Sequence, residues 1–404
     1  MTQHDVVIIG AGPGGSAAAH YLAQQGLDIL LLDKASFPRD KTCGDGLTPR
    51  ALGMLDDMGL LNELLRLGWR INEMAIVAPK GHSVSAPLPR QKSWPDYALI
   101  IPRLILDERI RQRALASGAA FESPVRVTEI VPEPQGLLVK GEQRDREVNV
   151  RARMAIIATG ASSKLLLRTG ILKQMPPVAL VARAYYEGLT GLTDRVDLRF
   201  DGVPLPGYGW VFPLSNSSAN IGAGYLPGAR LPWRRFGVRR APFDSFVAHP
   251  PLRALLAGGQ RVGPIKGYPL RTDFASAPTF GERVLLVGEA AGLVNPLTGE
   301  GIDYALESGK LAAEHVLRMF AAGDFARAQF VAYDQLLRQR YQRLFLFCNR
   351  VQVLFGSAFG LNRAVSAAAR YPHLKLLLIN IGLGNQEAPT GVSLKTMVKV
   401  MLGV

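Results

Sequence analysis

The stretch that decides the fold of this chain is Gly288-Glu289-Ala290-Ala291-Gly292-Leu293-Val294-Asn295-Pro296-Leu297-Thr298-Gly299-Glu300-Gly301-Ile302. It follows a second glycine-rich stretch far earlier in the sequence, Gly10-Ala11-Gly12-Pro13-Gly14-Gly15. Glycine allows the backbone to approach phosphate groups closely, and such loops often open a helix that binds them. A nicotinamide enzyme usually needs only the first loop. The two loops together therefore indicate one extended flavin dinucleotide, held at both ends by a single discontinuous domain.

The first loop lies in the local context that dinucleotide binding requires. Residues 5–9 form an apolar strand, a helix is predicted from the loop to about Gln25, and a second strand is predicted over residues 28–32. The helix N-terminus supplies N–H groups and a positive dipole to the phosphates. Asp33 ends the second strand, where a carboxylate can accept hydrogen bonds from a ribose. This order of elements predicts a dinucleotide site.

The rest of the pattern predicts an α/β fold: a discontinuous Rossmann-type FAD-binding domain, an inserted antiparallel-sheet substrate domain and a helical C-terminal region. Alternating apolar runs between residues 180 and 270, separated by Gly and Pro turns, predict the inserted sheet. Long helices are predicted from about Gly299 to Met319 and from about Phe325 to Phe355. The predicted domain limits are 1–75, 101–175 and 276–325 for the FAD-binding domain, 76–100 and 176–275 for the substrate domain, and 326–404 for the basic helical region.

The net charge of +14 is unevenly distributed. Residues 331–404 carry nine Lys or Arg but only Asp334 and Glu387 as acids, beside apolar clusters at 344–347 and 376–379. A second basic group contains a tryptophan and consists of Arg230, Trp233, Arg234, Arg235, Arg239 and Arg240. Such surfaces suit anionic lipid headgroups, and a solvated basic face is the alternative. No recognition motif for nucleic acid accompanies the charge.

The cysteines and histidines of the chain indicate its cellular compartment and whether a metal site is expected. Two cysteines, Cys43 and Cys348, do not make a disulfide framework, and the residues after Met1 run directly into a strand, not a signal peptide. No apolar run reaches the roughly 18 residues of a membrane span. These features predict a cytoplasmic protein, peripheral on the inner face of the cell membrane. The six histidines show no ligand spacing, so no metal site is predicted.

The two glycine-rich stretches, Asp33 and an arginine before a predicted helix together resemble the flavoproteins that include aromatic hydroxylases. The resemblance implies that the later stretch contacts the ribityl chain and pyrophosphate of FAD, and that the dipole of the following helix faces the flavin. Position 289, usually Asp in that group, is Glu here. The candidate cofactor-binding residues are Gly10, Gly12, Pro13, Gly14, Gly15, Asp33, Lys34, Cys43, Gly44, Arg103, Val127, Thr159, Gly160, Gly288, Glu289, Pro296, Gly299, Gly301 and Ile302.

Two shorter motifs narrow the resemblance. Tyr208-Gly209-Trp210-Val211-Phe212-Pro213, followed by Gly222-Ala223-Gly224, is similar to a signature of the geranylgeranyl reductase family. Lys41-Thr42-Cys43-Gly44-Asp45-Gly46-Leu47-Thr48-Pro49-Arg50 resembles the cysteine loop of its menaquinone-reducing branch. The resemblance covers residues 1 to about 330. It implies an FAD-dependent reductase that saturates C=C bonds of an isoprenoid chain, either a geranylgeranyl lipid or a menaquinone side chain.

These motifs supply the candidate catalytic and substrate-binding residues. Strand alternation puts Tyr208, Trp210 and Phe212 on one face, where they either form an aromatic wall beside the substrate or are core aromatics. Cys43 either lies near the flavin and relays a proton, or is a small loop residue, and Asp45 is an alternative proton source. The candidate catalytic residues are Cys43, Asp45, Tyr208 and Trp210, and the candidate substrate-binding residues are Tyr208, Trp210 and Phe212.

Other activities of the same fold stay open at this point. An aromatic hydroxylase or a halogenase is the first alternative, although the usual hydroxylase Asp-Gly pair would fall at Thr159-Gly160 and the halogenase tryptophan motif is absent. A non-catalytic flavoprotein that binds lipid or a partner is the second. The sequence contains no second nucleotide-binding fold, so NADPH binds transiently, or ferredoxin or a quinol delivers electrons. The oligomeric state is not predicted.

Overall fold

The structure is a computed structural model that describes residues 3–90, 93–144, 146–225 and 241–384. Within these ranges the strands are β1 (Gln3–Ile9), β2 (Ile29–Leu32), β3 (Gly46–Leu47), β4 (Trp69–Ile71), β5 (Glu73–Val77), β6 (Ser83–Pro87), β7 (Ala98–Ile100), β8 (Ala120–Glu122), β9 (Arg126–Glu133), β10 (Gly136–Gln143), β11 (Arg146–Ile157), β12 (Val178–Glu187), β13 (Arg195–Arg199), β14 (Gly207–Pro213), β15 (Ser218–Tyr225), β16 (Gln260–Arg271), β17 (Phe280–Gly281) and β18 (Val284–Leu286). The helices are α1 (Pro13–Ala23), α2 (Pro49–Asp57), α3 (Leu61–Leu67), α4 (Arg103–Ala116), α5 (Lys164–Arg168), α6 (Ala241–Ala248), α7 (Pro250–Leu256), α8 (Ile302–Ala322), α9 (Arg327–Phe355), α10 (Ala358–Arg370) and α11 (Pro372–Gly382).

The main sheet carries both glycine-rich stretches. Its central strands run parallel in the order β18-β11-β1-β2-β8, and β17, β10 and β9 extend it by antiparallel pairing. Residues 6–9 of β1, 29–32 of β2 and 154–157 of β11 are apolar and buried, as expected where helices pack on a parallel sheet. Helices α1, α8 and α9 pack into the same core, with Leu22, Val316 and Phe345 buried there. The predicted α/β fold with a Rossmann-type unit is confirmed.

The second sheet is the predicted insertion, enlarged by two strands from earlier in the chain. Among the described residues its strands follow the order β16-β12-β15-β14-β13-β5-β6, and every pair is antiparallel except β13 with β5. The predicted domain limit after residue 75 falls inside β5. Strand β7, which the prediction counted with the substrate domain, pairs instead with β3 and β4. The domain limits therefore stay a prediction.

The C-terminal helices cover the edge of the second sheet. Val365 and Ala368 of α10 and Ile379 of α11 are buried in one core with Met74 and Ile76 of β5. The described part of this region is helical, as predicted, and its last two helices lie on the substrate sheet. The basic group at 230–240 and the C-terminal residues 385–404 lie outside the described residues.

The long helix after the second glycine-rich stretch begins later than predicted. The prediction placed its start at about Gly299, whereas α8 begins at Ile302 and ends at Ala322. Gly299 has a φ of 71°, which is left-handed backbone that cannot continue into a right-handed helix. The carboxylate of Glu300 then accepts hydrogen bonds from the first N–H groups of α8. The three residues before Ile302 therefore form the cap and not the first turn.

Candidate active site

A cavity of about 680 Å³ is lined by residues of both larger sheets. Most of the predicted site residues lie on its wall: Gly10, Gly12, Pro13, Gly14, Asp33, Lys34, Cys43, Gly44, Arg103, Val127, Thr159, Gly160, Tyr208, Trp210, Phe212, Gly288, Glu289, Gly299, Gly301 and Ile302. Three predicted residues do not line it: Gly15, Asp45 and Pro296. The cavity thus brings together loops that are distant in sequence.

The groove at one end of the cavity has the form of a dinucleotide cradle. Helix α1 begins after Gly12 with no side chain capping its N-terminus, so its first N–H groups are available to phosphates. Asp33 fixes the loop, because its carboxylate accepts hydrogen bonds from the N–H groups of Ala11 at 2.8 Å and Ala35 at 2.9 Å. A Cβ atom on Gly12 would meet only Arg39 Nη2, at 3.5 Å. The space above Gly12 is open to a ligand.

Gly15 has a different role from the glycines that face the cavity. A Cβ atom there would lie 1.9 Å from the carbonyl oxygen of Gly10 and 3.0 Å from the Cβ of Ala158. Gly15 therefore allows α1 to pack directly against the turn that follows β1. This is the packing function expected of the third glycine in a dinucleotide fingerprint.

Cys43 lies on the cavity wall beside Arg103. Burial raises the pKa of the Cys43 thiol, although the nearby Arg103 guanidinium acts in the opposite direction. The thiol is therefore protonated at neutral pH. Arg103 is held by a two-pronged ion pair with Asp107, at 2.6 and 2.9 Å. The loop thus presents a proton-bearing thiol next to a fixed cation.

Asp45 lies behind the cavity wall, where it anchors the cysteine loop to the second sheet. Its carboxylate accepts hydrogen bonds from Tyr185 Oη and from Asn220 Nδ2, both at 2.7 Å. Asn220 also donates to the carbonyl oxygen of Cys43 at 2.8 Å and accepts from Trp210 Nε1 at 3.0 Å. Burial raises the pKa of Asp45 to about 6, against these hydrogen bonds. Tyr185 and Asn220 were not predicted, because they are single polar residues within strands β12 and β15.

The aromatic residues of β14 form a continuous surface along the cavity. The rings of Tyr208 and Trp210 are 6.2 Å apart, and those of Trp210 and Phe212 are 6.3 Å apart. Tyr208 Oη donates a hydrogen bond to the carbonyl oxygen of Thr298, which joins β14 to the second glycine-rich stretch. A Cβ atom on Gly222 would lie 2.0 Å from the Trp210 ring. The Gly-Ala-Gly motif therefore provides the space that the indole occupies.

Glu289, which stands where related flavoproteins have Asp, makes two specific contacts. Its carboxylate accepts a hydrogen bond from Lys41 Nζ at 3.2 Å and another from the backbone N–H of Arg271 at 3.1 Å. The extra methylene carries the carboxylate to both groups. Glu289 therefore connects the cysteine loop, the last strand of the second sheet and the second glycine-rich stretch. Pro296, by contrast, is buried and does not line the cavity.

The other end of the cavity is apolar and was not predicted. Its lining comes from β5, β7, β13, the residue after β6 and the end of α11, and consists of Met74, Leu88, Ala98, Ile100, Val196, Leu198, Gly382 and Leu383. Phe212 packs against these residues and also contacts the cysteine loop, since a Cβ atom on Gly44 would lie 3.0 Å from its ring. The alternation of apolar residues in β5 and β13 signals a half-buried sheet, but not which face lines a cavity.

Across residues 3–90, 93–144, 146–225 and 241–384, no group of three or more His, Cys, Asp or Glu residues is arranged to hold a metal ion. Over the same ranges, no helix combines the length and the apolar character needed to cross a membrane.

Comparison with known proteins agrees with this geometry. A family described as "FAD binding domain" matches residues 3–175. A menaquinone reductase from Mycobacterium tuberculosis is 37% identical over 367 residues, which cover 87% of this chain and 83% of that protein. A digeranylgeranylglycerophospholipid reductase from Methanopyrus kandleri is 30% identical over 351 residues, covering 85% and 88%. A solved structure of a geranylgeranyl bacteriochlorophyll reductase-like protein from Thermoplasma acidophilum shares the fold with a TM-score of 0.80, at 22% identity and with 99% and 96% coverage.

The groove fits FAD on its own geometry. It offers an uncapped helix N-terminus, an acid at the end of β2 and open space above Gly12. With the matching domain, these features define an FAD-dependent oxidoreductase. The chain belongs to the geranylgeranyl reductase family of these flavoenzymes.

Proposed function

We propose that this protein saturates C=C bonds of an isoprenoid chain, either in a geranylgeranyl lipid or in the side chain of a menaquinone. The observation that carries the proposal is the continuity of one cavity from the cofactor groove, past the aromatic wall, to an apolar end. Burying each CH₂ of an isoprenoid contributes about 0.8 kcal/mol, so an apolar cavity of this kind binds the chain and excludes water. The names and coverage of the relatives support the same substrate class.

Each part of the site has a distinct task in this reaction. FAD, when bound, supplies the hydride; electrons reach it from NADPH, a ferredoxin or a quinol. Tyr208, Trp210 and Phe212 position the chain against the flavin. The Cys43 thiol, protonated at neutral pH, holds a proton on the cavity wall. Asp45 keeps the cysteine loop in place through Asn220, and it also accepts a hydrogen bond from the backbone N–H of Arg103 on the cavity wall, at 3.3 Å.

Product mass provides the test of the proposed activity. The reduced holoprotein is mixed anaerobically with a menaquinone and, separately, with a geranylgeranyl lipid. We expect a mass gain of two hydrogens for each bond saturated in at least one of them. A holoprotein whose flavin is reduced but which adds hydrogen to neither lipid would overturn the proposal. Substrate-stimulated oxygen consumption with NADPH would instead support the hydroxylase or halogenase alternative.

We further propose that α10 and α11 attach the protein to the inner face of the cell membrane. Three large apolar side chains are exposed on this pair of helices: Phe359 (69%), Tyr371 (53%) and Leu376 (46%). Basic residues accompany them, namely Arg363, Arg370 and Lys375. Exposed apolar side chains amid cations suit a surface of anionic lipid. The end of α11 also lines the apolar part of the cavity, so a substrate chain would enter from that surface.

Replacing both Phe359 and Leu376 by Glu should lower sedimentation with vesicles of anionic phospholipid at least tenfold. The charges remove apolar contact and repel the headgroups, while FAD content should stay unchanged because both side chains are exposed and neither lines the cavity. Met175→Glu is the matched control, since Met175 is equally exposed (66%) and lies outside the two helices. Equal sedimentation of the double variant and the control would contradict the proposed attachment.

A further inference from the structure

Glu300 is a half-buried acid within the second glycine-rich stretch, to which neither the sequence motifs nor the proposed reaction assigns a role. Its side chain turns back onto the start of α8, where Oε1 accepts hydrogen bonds from the N–H groups of Ile302 at 2.8 Å and Asp303 at 3.2 Å. It also lines the cavity. The N-terminus of α8, which was expected to face the flavin directly, is therefore already occupied by a carboxyl group of the chain.

Glu300 lines the same cavity as the start of α1. Helices α1 and α8 lie side by side, since a Cβ atom on Gly14 would be 3.1 Å from the carbonyl oxygen of Ala305. Gly44, Tyr208 and residues 299–302 share that cavity, and a Cβ atom on Gly299 would lie 3.1 Å from Tyr208 Oη. A dinucleotide with its pyrophosphate at α1 and its adenosine ribose at Asp33 would have this part of the cavity for its ring system, with the carboxyl of Glu300 in the wall.

The charges around Glu300 are unbalanced. Arg50 Nη1 lies 3.2 Å from Asp303 and its other terminal nitrogen contacts Glu307, while Arg340 also pairs with Glu307 at 2.7 Å. If Glu300 were ionised like Asp303 and Glu307, three carboxylates would share the guanidinium groups of Arg50 and Arg340. Burial and the neighbouring Asp303 raise the pKa of Glu300 to about 8, against its N–H hydrogen bonds and Arg50. The titratable and charged groups that face this cluster are Asp303, Tyr304 and Glu307 of α8, Arg50 of α2, Tyr208 of β14, and Arg340 and Tyr341 of α9.

We propose that Glu300 caps the N-terminus of α8 and that its carboxyl group is protonated, and therefore neutral, whenever the flavin is reduced. The positive end of the α8 dipole then stabilises the negative charge of the reduced cofactor. When bound, the flavin would take up two electrons and one proton on reduction and would gain one negative charge. Wherever Glu300 is ionised before reduction, it takes a second proton from solvent, because two negative charges in this site repel each other. When a hydride is given up on reoxidation, Glu300 returns its proton to solvent.

The pH dependence of the bound flavin's potential tests this positioning role. Each proton taken up with two electrons contributes about 30 mV per pH unit. The wild-type holoprotein should show about 30 mV per pH unit below pH 8 and about 59 mV above it, where Glu300 is ionised in the oxidised state. Glu300→Gln should keep the lower slope throughout. Glu314→Gln, an exposed acid of the same helix, should behave as wild type. Identical slopes in wild type and Glu300→Gln would overturn the inference.

A second measurement does not require the cofactor. A carboxyl whose pKa is raised in the native state holds its proton there while the unfolded chain has lost it, so stability falls as pH rises between the two pKa values. The Tm of the apo wild type should therefore fall relative to the Tm of apo Glu300→Gln as the pH is raised from 5 to 9. A difference in Tm that stays constant over this range would contradict the inference. If the variant does not fold, the number of protons that the wild-type holoprotein takes up on reduction can be measured at pH 9. We expect two protons for each flavin reduced, and an uptake of one proton would refute the inference. The inference rests on the flavin site of the proposed function, but no lipid enters these tests, so a failure of isoprenoid reduction remains distinguishable.

Discussion

Replacing Gly12 by Asp should abolish FAD binding while the protein remains folded. A Cβ atom at this position meets only Arg39 Nη2, so the apoprotein has room for the side chain. Gly12 is also the N-cap of α1, a position at which Asp is a preferred residue, so the helix should not be weakened. The new carboxylate would occupy the helix N-terminus that receives the pyrophosphate. We expect affinity for FAD to fall at least 100-fold, about 2.7 kcal/mol, in a fluorescence titration of the apoprotein.

Two other glycine variants separate this effect from a loss of folding. Gly12→Ala adds a methyl group without charge and should bind FAD within about tenfold of wild type, a difference of about 1.4 kcal/mol. Gly15→Ala should fail to fold, because its Cβ would lie 1.9 Å from the carbonyl oxygen of Gly10. Circular dichroism of each apoprotein distinguishes the two outcomes. Near-normal flavin affinity in folded Gly12→Asp would show that the pyrophosphate lies elsewhere.

Replacing Gly382 by Phe should stop the reduction of long isoprenoid chains while FAD binding is retained. Gly382 ends α11 on the wall of the apolar part of the cavity. A Cβ atom there would lie 3.0 Å from Met74 Sδ and 3.4 Å from Leu198 Cδ1, so a phenyl ring must project into the space for substrate. Excluding about three methylenes, at about 0.8 kcal/mol each, corresponds to roughly a 50-fold loss in kcat/KM.

The length of the substrate provides the contrast for this variant. A prenyl chain short enough to stop before Gly382 should still be reduced by Gly382→Phe, because the aromatic wall and the cofactor groove are unchanged. Leu376→Phe, on the exposed side of the same helix, is the matched control and should reduce both lengths normally. If long chains are reduced at the wild-type rate by Gly382→Phe with normal flavin content, the apolar part of the cavity does not hold the substrate.

The sequence predicted the parts of the site that depend on local chain geometry. The strand, glycine-rich loop and acid of residues 5–33 are contiguous, so their packing follows from spacing alone. The aromatic wall followed from strand alternation at residues 208, 210 and 212 in the same way. The resemblance to known flavoproteins then connected these segments to one cofactor. Local pattern and family resemblance together were sufficient for the fold class.

Features formed by contacts between distant segments were not predicted. The apolar end of the cavity combines β5, which ends at residue 77, with α11, which begins at residue 372. The role of Glu300 depends on a left-handed residue before it and on Arg50 from another helix, neither of which a periodic pattern reveals. Asp45 was predicted as a proton source because it is near Cys43 in sequence. Its side chain instead points to Asn220, behind the wall.

The order of strands in the main sheet also determines when the protein can acquire its cofactor during synthesis. When the ribosome has reached residue 157, it has made β1, β2, β8 and β11. Strand β18 begins only at residue 284 and helix α8 only at residue 302. At roughly 5–20 residues per second, the N-terminal part waits on the order of ten seconds with one edge of β11 unpaired and one flank of α1 uncovered. A nascent chain in that interval has the glycine-rich turn but not the opposite wall. We therefore expect FAD to bind only after α8 has been made, and the unpaired edge of β11 to be a site for wrong strand pairing until then.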